Sequence, residues 1–135
     1  MCLRKELDMV IGIGIDIIDV ERVQKLAEKN PRFLQKIFTP KEIEYCSKKK
    51  NKHQHLAARF AVKEAFFKAI GKRTSWQDVE LSNLASGKPQ LDIKLKERFS
   101  IDKAHVSISH LREYAVAVVV LEGEKKRKPT SPKLV

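Results

Sequence analysis

Between Val10 and Ile18 the chain alternates isoleucine with other residues, and this stretch constrains the fold more than any other. Ile11, Ile13, Ile15 and Ile17 fall on one face of an extended strand, and Val10, Gly12, Gly14, Asp16 and Ile18 fall on the other. One face is a solid apolar surface. The other is stripped bare around a single carboxylate. Two glycines weaken a strand interior, so they mark a place where a ligand or another backbone comes close. Asp16 stands beside that gap.

The rest of the chain supplies helices and then more strands. Asp19 can cap a short helix in which Val20, Val23, Leu26 and Ala27 recur at helical spacing. Asn30-Pro31 ends it, because a residue before proline avoids the helical region. After Phe33 to Phe38, the set Thr39, Pro40 and Glu42 forms a capping-box start for a helix reaching about Ser47. The longest helix runs from roughly His53 to Ile70, with Gly71 placed to close it. Strand-like pieces follow at Val79–Leu84 and Pro89–Leu95, divided by the turn Ser86-Gly87-Lys88. Ala104–His110 and Tyr114–Leu121 alternate well enough to form a hairpin across Leu111-Arg112-Glu113. A strand, then helices, then strands predicts an α+β domain with an antiparallel sheet packed with the long helix.

A chain of 135 residues has room for one core. It divides into an N-terminal extension (1–8), a folded domain (9–122) and a basic tail (123–135) expected to be disordered. Met9 offers an alternative start. No run approaches the roughly 18 apolar residues of a membrane span. The first eight residues lack a signal-peptide core. The expected compartment is the cytoplasm, with no membrane partner. Cys2 and Cys46 fit neither a zinc site nor a disulfide framework. A net charge of +11 implies an acidic partner: nucleic acid, membrane surface, acidic protein or polyphosphate. Part of that charge lies in Lys48 to Lys52 and in the tail, so it discriminates poorly by itself.

Gly12-Ile13-Gly14 is not a dinucleotide fingerprint, because the third glycine is missing and Asp16 continues the strand. The long helix carries Arg59, Lys63, Glu64 and Lys68. Glu64 and Lys68 share a face, and the plain reading is a surface ion pair worth ~0.3–0.5 kcal/mol. Glu64, however, continues the apolar stripe of Phe60, one turn earlier. A strand carboxylate (Asp16) and a helix carboxylate (Glu64) could together hold a hard cation such as Mg²⁺, which completes its shell with water and substrate phosphates. Lys68 could then meet a phosphate as a point charge. Ser107 and Ser109 alternate with Val106 and Ile108 before His110, but no nucleophile elbow accompanies them. His53, His55 and Cys46 lack zinc spacing. The basic residues are not interleaved with aromatics, and no motif of a nucleic-acid-binding module appears, so no nucleic-acid partner is expected.

These residues resemble a family. Gly12-Ile13-Gly14-Ile15-Asp16 and Phe60-Ala61-Val62-Lys63-Glu64-Ala65-Phe66-Phe67-Lys68 look like the two signature blocks of 4'-phosphopantetheinyl transferases. Arg59, Ser107-Ile108-Ser109-His110, Phe38-Thr39-Pro40-Lys41-Glu42 and Ser86-Gly87-Lys88-Pro89 resemble the small holo-[acyl-carrier-protein] synthase branch. The resemblance runs from about Val10 to Leu121. It implies transfer of the 4'-phosphopantetheine arm of coenzyme A to a serine of an acidic acyl carrier protein, within fatty acid biosynthesis. It implies that Asp16 and Glu64 ligate Mg²⁺ and that Asp16, Glu64 and Lys68 form the catalytic set. Lys68 would contact phosphate, and His110 would lie near the nucleotide end of coenzyme A. Arg59, Lys88 and Pro89 would help form the pocket. Arg22, Lys29 and Arg32 would meet the carrier protein. The branch forms trimers with sites at subunit interfaces, so a homotrimer is expected. The acceptor of the serine proton stays open between Glu64 and a water at the metal. The chain departs from the pattern after the long helix, where Gly71-Lys72-Arg73-Thr74-Ser75 is shorter than the glycine-rich loop of many relatives. It departs again at Leu111, where a small polar residue is common. The competing readings are an RNA- or ribosome-binding α+β protein and a catalytically inactive interaction subunit.

Overall fold

Asp19 ends the first strand and starts the first helix, its carboxylate accepting from the amides of Glu21 (2.9 Å) and Arg22 (3.3 Å). In the computed structural model, which describes residues 8–124, β1 spans Met9–Asp19 and α1 spans Val20–Lys29. Helices α2 (Pro31–Ile37), α3 (Pro40–Ser47) and α4 (Lys52–Ile70) follow, then a single 3-10 turn at Trp76–Asp78. Four strands close the chain: β2 (Val79–Asn83), β3 (Pro89–Ile93), β4 (Ile101–His110) and β5 (Tyr114–Gly123). Gly123, expected in the tail, is thus the last residue of β5. Cys2 and residues 125–135 lie outside the described residues.

The expected antiparallel sheet is two sheets. One has the order β1-β5-β4, so the first and last strands pair; the other is the β2-β3 hairpin. Helix α2 was not anticipated. Asn30 caps the end of α1 and also the start of α2, its Oδ1 accepting from the Arg32 amide at 3.1 Å, with Pro31 as the first helical residue. The same Asn-Pro pair is a stop and a start.

The glycines of β1 serve the backbone of α4. A Cβ on Gly12 would overlap the carbonyl oxygen of Ala69, and one on Gly14 would overlap that of Ala65. The core forms between α4 and the glycine side of this sheet. Ala57, Ala61, Val62, Ala65 and Phe66 from α4 pack with Ala115, Ala117, Val119 and Leu121 from β5, all at most 1% exposed. The isoleucine side is not core. Ile13, Ile15 and Ile17 are 66%, 59% and 64% exposed. The strand register lines them up with Val120, Val118 and Val116 of β5, and these with His105, Ser107 and Ser109 of β4.

A buried ion pair ties the helices to β2. Lys63 Nζ meets Glu42 Oε1 at 2.8 Å and donates to the carbonyls of Trp76 (2.8 Å) and Val79 (2.6 Å), which uses all three ammonium hydrogens. Glu42 also accepts from the amides of Thr39 (2.9 Å) and Leu81 (3.0 Å). Burial pushes the Lys63 pKa below the usual lysine value, and Glu42 acts against that shift. Among the described residues no helix is long and apolar enough to cross a membrane.

Candidate active site

The close approach of α4 to β1 sets two carboxylates at one junction. Glu64 immediately precedes Ala65, whose carbonyl faces Gly14, and Asp16 follows Gly14 on the same side of the strand. Lys68, one turn beyond Glu64, reaches back to β1 and donates to the Ile15 carbonyl (2.9 Å) and to Asp16 Oδ1 (3.1 Å). Glu64 receives Arg73 through three contacts of 3.2 Å, which involve both carboxylate oxygens. The two acids are shielded, with side chains 16% and 18% exposed, whereas Lys68 and Arg73 are 55% and 61% exposed. Either cation can therefore move into solvent without uncovering the core. An aromatic wall stands beside them. The Arg73 guanidinium lies 5.5 Å from the Phe67 ring centre and 5.3 Å from that of Trp76, and Phe60 stacks on Trp76 at 5.1 Å. Phe60 was legible from the helical stripe; Trp76 and the Arg73 pairing were not.

The donor chemistry here suits a hard divalent cation. Two carboxylates come from two elements, and no cluster of three acidic, histidine or cysteine side chains occurs among the described residues. Mg²⁺ takes one or two protein carboxylates and leaves its remaining positions to water and phosphate oxygens.

A second cluster lies on the other flank of α4. Arg59 is buried, donates to Asn83 Oδ1 (2.9 Å) and lies 4.3 Å above the Tyr45 ring. Asn83 in turn donates to the Gly87 carbonyl (3.1 Å), so Arg59 steadies the hairpin turn that carries exposed Lys88 and half-buried Pro89. The His110 ring is 5.9 Å from that of His55, which is 5.9 Å from Tyr45. Burial, then Arg59, His110 and Lys49, hold the His55 pKa below its usual value. Glu64 is five residues from Arg59, about 140° around the helix, and nine from His55, about two and a half turns. Within one chain, then, Asp16, Glu64 and Lys68 share the β1–α4 junction, while Arg59 turns about 140° from Glu64 toward Asn83 and the Lys88-Pro89 hairpin, and His110 stands beside His55.

Arg22, Lys29 and Arg32 are exposed on and just after α1. Cys46 is buried, and burial raises its thiol pKa to about 11, which makes it a poor nucleophile. Ser107 and Ser109 are exposed on the sheet face opposite the core.

Residues 12–119 match the profile of the 4'-phosphopantetheinyl transferase superfamily. The chain belongs to that superfamily. It is 46% identical to the holo-[acyl-carrier-protein] synthase of Geobacter sulfurreducens, an alignment covering 84% of this chain and 98% of that protein. Solved structures agree. A holo-(acyl-carrier-protein) synthase from Bacillus anthracis, in complex with CoA (3',5'-ADP), superposes with a TM-score of 0.75 at 38% identity, over 86% of this chain and 99% of that one. The Helicobacter pylori enzyme in complex with coenzyme A gives 0.73 at 32% identity, over 81% and 98%.

Proposed function

We propose that Asp16 and Glu64 hold a magnesium ion at the β1–α4 junction and that Lys68 meets the substrate phosphate there. The reaction is transfer of the 4'-phosphopantetheine moiety of coenzyme A to a serine of apo-acyl carrier protein, which gives the holo form and adenosine 3',5'-bisphosphate. The serine oxygen bonds to the phosphorus next to pantetheine, the bridging oxygen leaves with the adenosine bisphosphate, and the serine proton passes to Glu64 or to water in the site. Such a transfer asks the protein mainly for positioning and charge neutralisation. Magnesium, when bound, neutralises charge on the diphosphate. Lys68 contributes a second positive charge, already aimed at Asp16 across the junction. His110 lies near the nucleotide end of coenzyme A, and Arg59, Lys88 and Pro89 help form the pocket.

The observation that carries this reading is the pair of shielded carboxylates, each neutralised among the described residues by an exposed cation. It is tested by incubating the protein with apo-acyl carrier protein and coenzyme A and weighing the carrier. The expected result is a gain of roughly 340 Da, lost with chelator and restored by Mg²⁺. A chelator-resistant gain would remove the metal from the reading.

The working unit is a homotrimer in which neighbouring copies complete each site. Two features support this: the uncovered isoleucine–valine face, larger in character than the scattered apolar residues of a monomer surface, and the separation of the two clusters within one chain. Arg22, Lys29 and Arg32 dock the acidic carrier. Arg22→Glu is therefore expected to raise the carrier KM about tenfold at low salt and to leave the KM for coenzyme A unchanged. Equal loss for both substrates would refute the docking role.

A further inference from the structure

We propose that Arg73 is a built-in competitor for the divalent cation, holding Glu64 in the metal-free chain so that metal binds only as Arg73 is displaced. The proposal rests on the reading of Asp16 and Glu64 as metal ligands. The two acids differ in how their cations sit. Lys68 engages one oxygen of Asp16, Oδ1, and spends another hydrogen on the Ile15 carbonyl. Asp16 keeps its second oxygen for another ligand. Arg73 engages both oxygens of Glu64, with Nη1 and Nη2 on Oε1 and Nη2 on Oε2, all at 3.2 Å. A guanidinium and a divalent cation on the same carboxylate compete for its lone pairs and repel each other.

The position of Arg73 is built rather than incidental. Gly71, in the left-handed conformation, ends α4, and only Lys72 separates it from Arg73. The Phe67 and Trp76 rings then support the guanidinium from the helix side and from the turn side. The side chain is nevertheless 61% exposed. Its hold on Glu64 is made of side-chain contacts alone, and once released it is a planar cation beside an anionic substrate.

Mn²⁺ binding measured by electron paramagnetic resonance, without coenzyme A, tests this directly. Arg73→Met keeps the apolar contact with the rings and removes the fork. Lys72→Met removes one charge next door without touching Glu64. The expected result is Mn²⁺ binding about three- to tenfold tighter in Arg73→Met than in the wild type, the range of a partly exposed bidentate pair, with Lys72→Met within about 1.5-fold of the wild type. Glu64→Gln should abolish the Mn²⁺ signal change in both the wild-type and the Arg73→Met backgrounds. If Arg73→Met matches Lys72→Met or binds more weakly, Arg73 is no competitor, although the metal reading survives when Glu64→Gln still loses the ion. If Glu64→Gln binds Mn²⁺ like the wild type, Glu64 is no ligand, and both readings fall.

Discussion

Lys63 and Glu64 are neighbours in the chain, and each belongs to a carboxylate–cation pair, yet the two pairs do opposite things. The Lys63–Glu42 pair is sealed, with both side chains at most 1% exposed. Its ammonium has three acceptors and its carboxylate accepts from two backbone amides as well. Nothing in that pair is free to bind anything else. The Glu64–Arg73 pair one residue on is held by contacts between side chains only, and its cation stands largely in water. Burial and the number of fixed partners, not residue type, separate the part that holds α3, α4 and β2 together from the part that can exchange its cation for a ligand.

The largest expected effect comes from breaking the sealed pair. Glu42→Ala strands a buried ammonium and removes the α3 capping box, which should cost about 3–5 kcal/mol in urea unfolding. That is a large share of the roughly 5–15 kcal/mol that holds a domain together. A loss under about 1 kcal/mol would mean that Lys63 escapes to water and that the pair is not sealed. The open pair should behave in the reverse sense. Asp16→Ala and Glu64→Ala are expected to lower turnover at least about 100-fold, or ~2.7 kcal/mol of transition-state stabilisation, while unfolding free energy stays within about 0.5 kcal/mol. Parallel loss of stability and activity would erase the contrast.

Local signals made much of the fold legible. The alternation of β1, the caps at Asp19 and Thr39 and the closing Gly71 all act within a few residues, and each occurs where its pattern indicates. Long-range facts were not written locally. Lys63 owes its burial to Glu42, 21 residues away, and to carbonyls beyond the loop. Alternation gives two faces but does not say which is covered. Here the face with glycine and a carboxylate is the covered one, because α4 needs the missing side chains to come close. The meeting of Asp16, Glu64 and Lys68 was expected from the glycine-bearing strand face, the Phe60 stripe and the four-residue spacing of Glu64 and Lys68, and the contact of Lys68 with Asp16 agrees with it. The separation of Arg59 from Glu64 follows from 3.6 residues per turn and could have been worked out from their numbers alone. Arg73 gave no such signal, since its partner lies nine residues back across a loop.

The proposed homotrimer would bury the uncovered isoleucine–valine face. Ile15→Glu puts a charge in the centre of the uncovered face, opposite Val118. If the proposed trimer forms through this face, the change shifts the mass seen by light scattering toward the monomer and lowers activity about tenfold or more, with the helical circular dichroism retained, because burying an unpaired carboxylate in an apolar interface costs several kcal/mol. An unchanged mass would leave that face without a subunit partner.

His55 lies between the two extremes: half-buried, near Arg59 and His110, and without a carboxylate partner among the described residues. Burial, followed by these positive neighbours, lowers its pKa from 6.5. The sign follows from proton counting. Below pH 6.5 the unfolded chain takes up a proton that the folded chain still refuses, so stability falls as the pH drops from 6.5 toward the folded value. His53 is lowered in the same direction, chiefly by burial, and contributes to the same slope. His55→Gln should therefore flatten, not abolish, the loss of melting temperature between pH 6.5 and pH 5, by a few degrees at most. A steeper loss in His55→Gln would mean that the protonated ring finds an acceptor in the folded chain, and that this flank of α4 already holds an anion-like partner of its own.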